Sequence, residues 1–217
     1  MPSRLPLFPL ELVLFPGELV PLHIFEPRYR QLLADCLAGD ERFGLTPAVP
    51  PGPGARGTVA HIEGTQPLPD GRSNIVVRGG DRFTLRALLP EGTPYLVGAI
   101  DLVHDLPDTA PLPTERAQLE ALASEFRTAA AVLTDAAPDT TAWDSDPERF
   151  SFQAAALLEP DPAVRLPLHA ERRTRERVRE LLALLPGRLA SVRTRADVHA
   201  RARTNGKGHH GHDIVAQ

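Results

Sequence analysis

The sequence predicts an α+β fold, with a β-rich barrel carrying one inserted helix in its first half and a helical bundle in its second. Three observations predict it. Up to Val103 the apolar residues come in short runs with a turn signal about every ten residues, the cadence of a small all-β barrel. One stretch there, after Pro27, breaks into a period of three and four. After Pro113 that helical period takes over. The boundaries fall at 1–110 for the β-rich part and 111–190 for the helical part, with 191–217 expected to be a flexible Arg/His-rich tail.

Leu5–Phe8 and Leu19–Phe25 read as strands separated by a Phe15-Pro16-Gly17 turn. Glu26-Pro27 opens a helix, with proline at the first helical position, where its missing N–H costs nothing. Tyr29, Leu32, Leu33, Cys36 and Leu37 then form one apolar face, and Gly39 closes the helix. Cys36 lies in that face and reads as a small buried hydrophobe. Phe43–Val49 is the next strand, and Pro50–Ala55 holds too much proline to pair centrally in a sheet. Gly57–Glu63 and Asn74–Arg78 flank a turn at Pro69-Asp70-Gly71. Asp81–Leu89 alternates between apolar and polar residues, and Tyr95–Val103 is apolar enough to be buried on both faces.

In the second half, Leu119, Leu122, Phe126, Ala130 and Leu133 share a helix face behind an expected Thr114 cap. Asp135–Asp146 reads as an acidic loop carrying Trp143. Asp146-Pro147 and Asp161-Pro162 each pair a capping side chain with a first-turn proline. A long helix is expected from about Glu171 to Leu185, weakened at Pro186-Gly187.

Composition narrows the chemistry. Hydrophobic residues are 42% and charged residues 24% of 217, so a substantial core is available. No apolar run approaches the ~18–20 residues that span a bilayer, and three prolines break the first nine residues where a signal peptide would need an apolar core. A cytoplasmic protein is expected. With Cys36 alone, neither an intrachain disulfide nor a thiolate metal cluster can form. Lys207 is the sole lysine and stands among glycines and histidines near the end. A phosphate-binding loop, a Ser–Lys dyad or a Schiff-base lysine each needs a lysine in a structured setting, so none is expected. Residues 1–170 carry a formal charge of −10 and residues 171–217 one of +6. The acidic body speaks against nucleic-acid binding, which needs a basic footprint.

Three stretches carry a family pattern: Phe15-Pro-Gly-Glu-Leu-Val-Pro-Leu-His-Ile-Phe-Glu-Pro-Arg-Tyr29, Gly57-Thr-Val-Ala-His-Ile62, and Leu68-Pro-Asp-Gly-Arg72 with Ile75-Val-Val-Arg-Gly-Gly-Asp-Arg-Phe83. In order and spacing they resemble the N-terminal, substrate-binding domain of Lon proteases in its stand-alone bacterial form. Phe152–Leu158 and Arg175–Leu185 look like that domain's helical bundle, and the resemblance covers roughly residues 3–190. It implies a PUA-like pseudo-barrel followed by helices. It also implies a non-catalytic module that holds unfolded or tagged polypeptide, alone or beside a separate protease, since the ATPase and peptidase of full-length Lon are other domains. The Pro-rich stretch at 47–54 departs from the pattern, and nothing is carried onto it.

The candidate sites follow. Gly17, Gly57, Gly71, Gly79 and Gly80 read as turns and bulges, because no Gly-x-Gly-x-x-Gly leads from a strand into a helix. His23, His61 and His104 are far apart in sequence and read as structural or surface residues, and no serine has a G-x-S-x-G setting. No catalytic residue, metal ligand or cofactor is expected; the His209, His210 and His212 tract reads as a tail. Phe15, Leu22, Phe25, Tyr29 and Phe83 are the apolar residues of the family-like stretches, and a subset of them is expected to line a shallow peptide groove. RNA binding through the barrel is the alternative reading.

Overall fold

The computed structural model describes residues 3–107 and 112–206. Six strands and five helices follow one another as β1 (Ser3–Pro9), β2 (Leu19–Ile24), α1 (Pro27–Leu37), β3 (Arg42–Thr46), β4 (Arg56–Pro67), β5 (Ser73–Leu89), β6 (Leu96–Val103), α2 (Pro113–Leu133), α3 (Pro147–Ala155), α4 (Pro162–Ala170) and α5 (Thr174–Gly206). The fold class is the expected α+β: a pseudo-barrel with one inserted helix, then a helical region.

The strand order is β2-β5-β4-β3-β1-β6, and β6 pairs back onto β5, so β1, β3, β4, β5 and β6 close a ring while β2 lies outside it. The length of β5 makes this closure possible. Its Ser73–Arg78 half pairs with β2 and its Arg82–Leu89 half with β6, while β4 runs along both. The sequence pattern had Asn74–Arg78 and Asp81–Leu89 as separate strands; Gly79 and Gly80 join them. At Gly79 a Cβ would lie 2.0 Å from the Phe15 carbonyl oxygen, so only glycine lets the strand pass beneath the turn that precedes β2.

Alternation along β5 buries Ile75, Val77, Phe83 and Leu85. Ile75 and Val77 meet the apolar face of α1 (Tyr29, Leu32, Leu33, Cys36), and Phe83 and Leu85 pack with Leu5, Leu7, Val59 and Ile100 inside the ring. The helical core holds Leu119, Phe126, Phe150, Phe152, Leu168, Val178, Leu181 and Leu185, and it also takes Val13 and Phe15 from the segment between β1 and β2. The two halves therefore share one boundary through that segment.

Helix starts follow the sequence, with one exception. Asp146 and Asp161 cap α3 and α4, accepting from the backbone N–H of Arg149 and Ala163, and Pro27 opens α1 behind Glu26. For α2 the expected Thr114 cap is wrong: Pro113 is already in the first turn and Leu112 precedes it without a side-chain bond. The expected end of the last helix at about Leu185 is also corrected. Helix α5 continues through Pro186 to Gly206, with Leu185, Leu189, Val192 and Ala196 buried along it. An interior proline costs about 3 kcal/mol. Burying Leu189 and Val192 against the bundle returns about 1.5–3 kcal/mol each, which is enough to carry the helix past it. Lys207 and the 209–212 histidines lie outside the described residues.

Candidate functional site

A buried ionic joint fixes the helices to the barrel. Arg82 of β5 donates from Nη1 to the carbonyls of His169 (2.7 Å) and Glu171 (2.8 Å), and from Nη2 to Asp105. Arg177 of α5 donates to the same Asp105 carboxylate, to the Glu171 carbonyl (2.7 Å) and to Ser151 Oγ (2.8 Å). Both guanidinium groups lie over Phe152, at 5.0 and 3.8 Å from the ring centroid. Arg165 of α4 makes a second tie, donating to the Val13 carbonyl (2.9 Å) and to Glu18 Oε1 (2.6 Å).

His169 completes the joint. Thr58 Oγ1 donates its one proton to the Leu14 carbonyl (2.6 Å), so the contact at 2.9 Å to His169 Nε2 has the imidazole as donor. Its Nδ1 is buried and has no partner among the described residues. Burial, then the charges of Arg82, Arg56, Arg177 and Arg165, push the imidazole down to about 3. It is a neutral structural histidine held between α4 and β4.

Beside this joint lies a cleft of about 690 Å³. Gly17, His61, Arg78 and Asp81 line its barrel side, and Asp144, Asp146, Glu148 and Arg149 its helical side. Arg78 is engaged by Glu63 at 2.7 Å and Arg82 by Asp105. Burial pushes the Glu148 carboxyl up, with the charge of Asp105 next and Arg177 and Arg82 opposing. His61 and His104, far apart in sequence, both line the cleft, and among the described residues no serine, threonine, cysteine or lysine lines it with them. His23 is elsewhere, on β2, its Nδ1 2.7 Å from Asn74 Oδ1. Among the described residues no group of three or more histidine, cysteine or carboxylate side chains could hold a metal ion. The Cys36 thiol donates to the Arg42 carbonyl (3.2 Å) and is pushed up to about 12, first by burial, so it is no nucleophile.

The five apolar candidates separate. Phe15, Tyr29 and Phe83 are core residues, 0%, 7% and 1% exposed, and present no surface to a peptide. Leu22 is half-buried within β2 and packs toward α1, and Phe25 is 57% exposed just beyond the strand's end. Leu19 and Val76 are also open to solvent, and Pro21, paired opposite Val76, is exposed between them. Leu19, Pro21, His23 and Phe25 thus face outward at every second residue, while Val20, Leu22 and Ile24 turn toward α1. Sequence reasoning missed Leu19 and Val76. Their period was visible, but β2 is apolar on both faces, so alternation carried no polarity contrast to mark the outer one.

The open edge of β2 leads at its Gly17 end into the cleft, and at its other end Ser73 and Gly71 border a shallow groove along α1. The family model for the ATP-dependent protease La (LON) substrate-binding domain matches residues 4–186 of this architecture. The chain belongs to this family. Its LON domain is similar to a Lon N-terminal domain protein from Xanthomonas campestris, at 28% identity and a TM-score of 0.63, over 85% of this chain and 99% of that one. The N-terminal domain of Mycobacterium avium complex Lon protease shares the fold at 19% identity and a TM-score of 0.58, over 83% and 97%. Lon protease of Parabacteroides distasonis is 31% identical over 58% of the chain, and Lon protease 2 of Myxococcus xanthus 29% over 65%. The match spans only 16% and 18% of those two proteins' own lengths. Among the described residues no helix is long and apolar enough to cross a membrane.

Proposed function

We propose that this LON domain is a non-catalytic module that holds unfolded or tagged polypeptide, working in the cytoplasm alone or beside a separate protease. The observation that carries this reading is the outward face of β2, where Leu19, Pro21 and Phe25 stand beside Val76 of β5; among the described residues β2 is paired on one side only. Exposed apolar side chains beside unpaired backbone suit an extended chain, which gains apolar burial and main-chain hydrogen bonds together. Phe25 keeps the role expected for it, Leu19 and Val76 join it, and Leu22, Phe15, Tyr29 and Phe83 serve as scaffold. The carboxylates that line the cleft oppose RNA.

The test uses a reduced, carboxymethylated protein that stays unfolded. The chain is expected to bind it and not its native form, and to hydrolyse neither ATP nor the bound polypeptide. Equal binding of both forms, or ATP turnover by the pure chain, overturns the proposal.

A further inference from the structure

The backbone of β2 narrows the kind of polypeptide that fits. Pro21 sits opposite Val76 and has no N–H, so that pair cannot be one of the hydrogen-bonded pairs of the ladder. The bonded pairs are its neighbours, Val20 with Val77 and Leu22 with Ile75. The bonds from Gly17 N to the Gly79 carbonyl (2.8 Å) and from Gly79 N to the Glu18 carbonyl (2.9 Å) set the same register two residues further along β5. The N–H groups of Leu19 and His23, and the carbonyls of Leu19, Pro21 and His23, therefore point to the open edge. Among the named strands only β5 pairs with β2.

Charge distinguishes the two ends of this edge. At the Gly17 end it enters the cleft, whose arginines Arg78, Arg82 and Arg149 are engaged by Glu63, Asp105 and Asp144. Asp81 and Glu148 line the cleft too, and the cation nearest Glu148 is Arg82 at 3.9 Å. The cleft has a surplus of negative charge.

We infer that the bound segment adds to the free edge of β2 as a further strand, its apolar side chains against Leu19, Pro21 and Phe25 and a basic residue at its Gly17 end. This rests on the polypeptide-binding reading above and names the substrate class: an extended, proline-free apolar stretch with a basic flank. Proline in the bound segment is disfavoured because it removes donors from an edge where Pro21 has already removed one.

The probe is a fluorescein-labelled octapeptide of alternating leucine and threonine with two arginines at each end. Its versions have the arginines replaced by glutamates, or alternate backbone nitrogens methylated in the two complementary patterns. One methylation pattern is expected to weaken binding about tenfold or more, because it removes the bonds to β2, while the other stays within about twofold. Equal losses, or none, overturn strand addition while leaving apolar binding intact. The arginine peptide is expected to bind more tightly than the glutamate peptide, and Asp81→Asn/Glu148→Gln is expected to remove that difference. A preference that persists in the double variant overturns the basic flank. If no version binds, or Phe25→Ser leaves binding unchanged, it is the underlying function that fails.

Discussion

The Asp105 carboxylate, which leaves the barrel just after β6, holds the Arg177 guanidinium of α5 where neither reaches solvent: their side chains are 6% and 0% exposed. Arg82 shares the same carboxylate from β5, so one acid is shared by two buried cations from the two halves of the molecule. Taking such charges out of water is costly, and removing the shared partner strands both arginines. Asp105→Asn is therefore expected to destabilise the fold by about 3–5 kcal/mol, read as a shift of the denaturation midpoint followed by Trp143 fluorescence. Glu63→Gln, which breaks the exposed pair with Arg78, is the control and leaves the midpoint where it is. Equal small shifts in both variants contradict the joint.

His169 gives the fold an acid sensitivity with a defined sign. In the folded chain the imidazole stays neutral down to about 3, whereas in the unfolded chain it takes up a proton below its ordinary value near 6.5. The unfolded state thus binds more protons inside that window. Stability from this group is complete above about pH 6.5 and falls as pH is lowered through it, by up to about 1.4 kcal/mol per pH unit. His169→Gln keeps a donor for Thr58 and removes the titration. Between pH 7 and 4.5 the variant is expected to lose about 2–3 kcal/mol less than the wild-type chain in urea unfolding. Parallel losses contradict the assignment.

The surface and the core of the family-like stretches are separable by mutation. Leu19→Ser and Phe25→Ser remove exposed apolar area, so unfolded-polypeptide binding is expected to weaken while stability changes by less than about 0.5 kcal/mol. Phe15→Ala and Phe83→Ala are expected to cost about 3–5 kcal/mol and to affect binding only as the fold is lost. Titration and urea unfolding of the same four variants check both halves.

Gly79 is where β5 crosses the turn before β2, and the clash there is with backbone that cannot swing aside. Gly79→Ala is expected to destabilise by about 1–3 kcal/mol or more, whereas Gly64→Ala, where an added Cβ meets nothing within 4 Å, is tolerated. A comparison of thermal midpoints decides it.

Local signals made most of the fold legible. Pro27, Asp146-Pro147 and Asp161-Pro162 announced three helix starts because capping and first-turn chemistry act within a few residues. Leu32, Leu33 and Cys36 announced a buried face through their spacing. What stayed hidden depends on distant partners. Helix α5 outlasts Pro186 because α2 lies alongside it, and His169 and Asp105 matter only because Thr58, Arg82 and Arg177 arrive from elsewhere in the chain. Among the site residues, Phe25 was found because its stretch was family-like. Phe15, from the same stretch, belongs to the core because the helices cover it, a contact no strand pattern reports.

The central claim, that the outward face and edge of β2 hold the polypeptide, is tested most directly by amide hydrogen exchange with and without saturating unfolded polypeptide. Slower exchange confined to residues 17–25 and 73–80, with α2 and α5 unchanged, is the predicted result. Protection centred on α2 and α5, or none along β2 despite saturation, would contradict it.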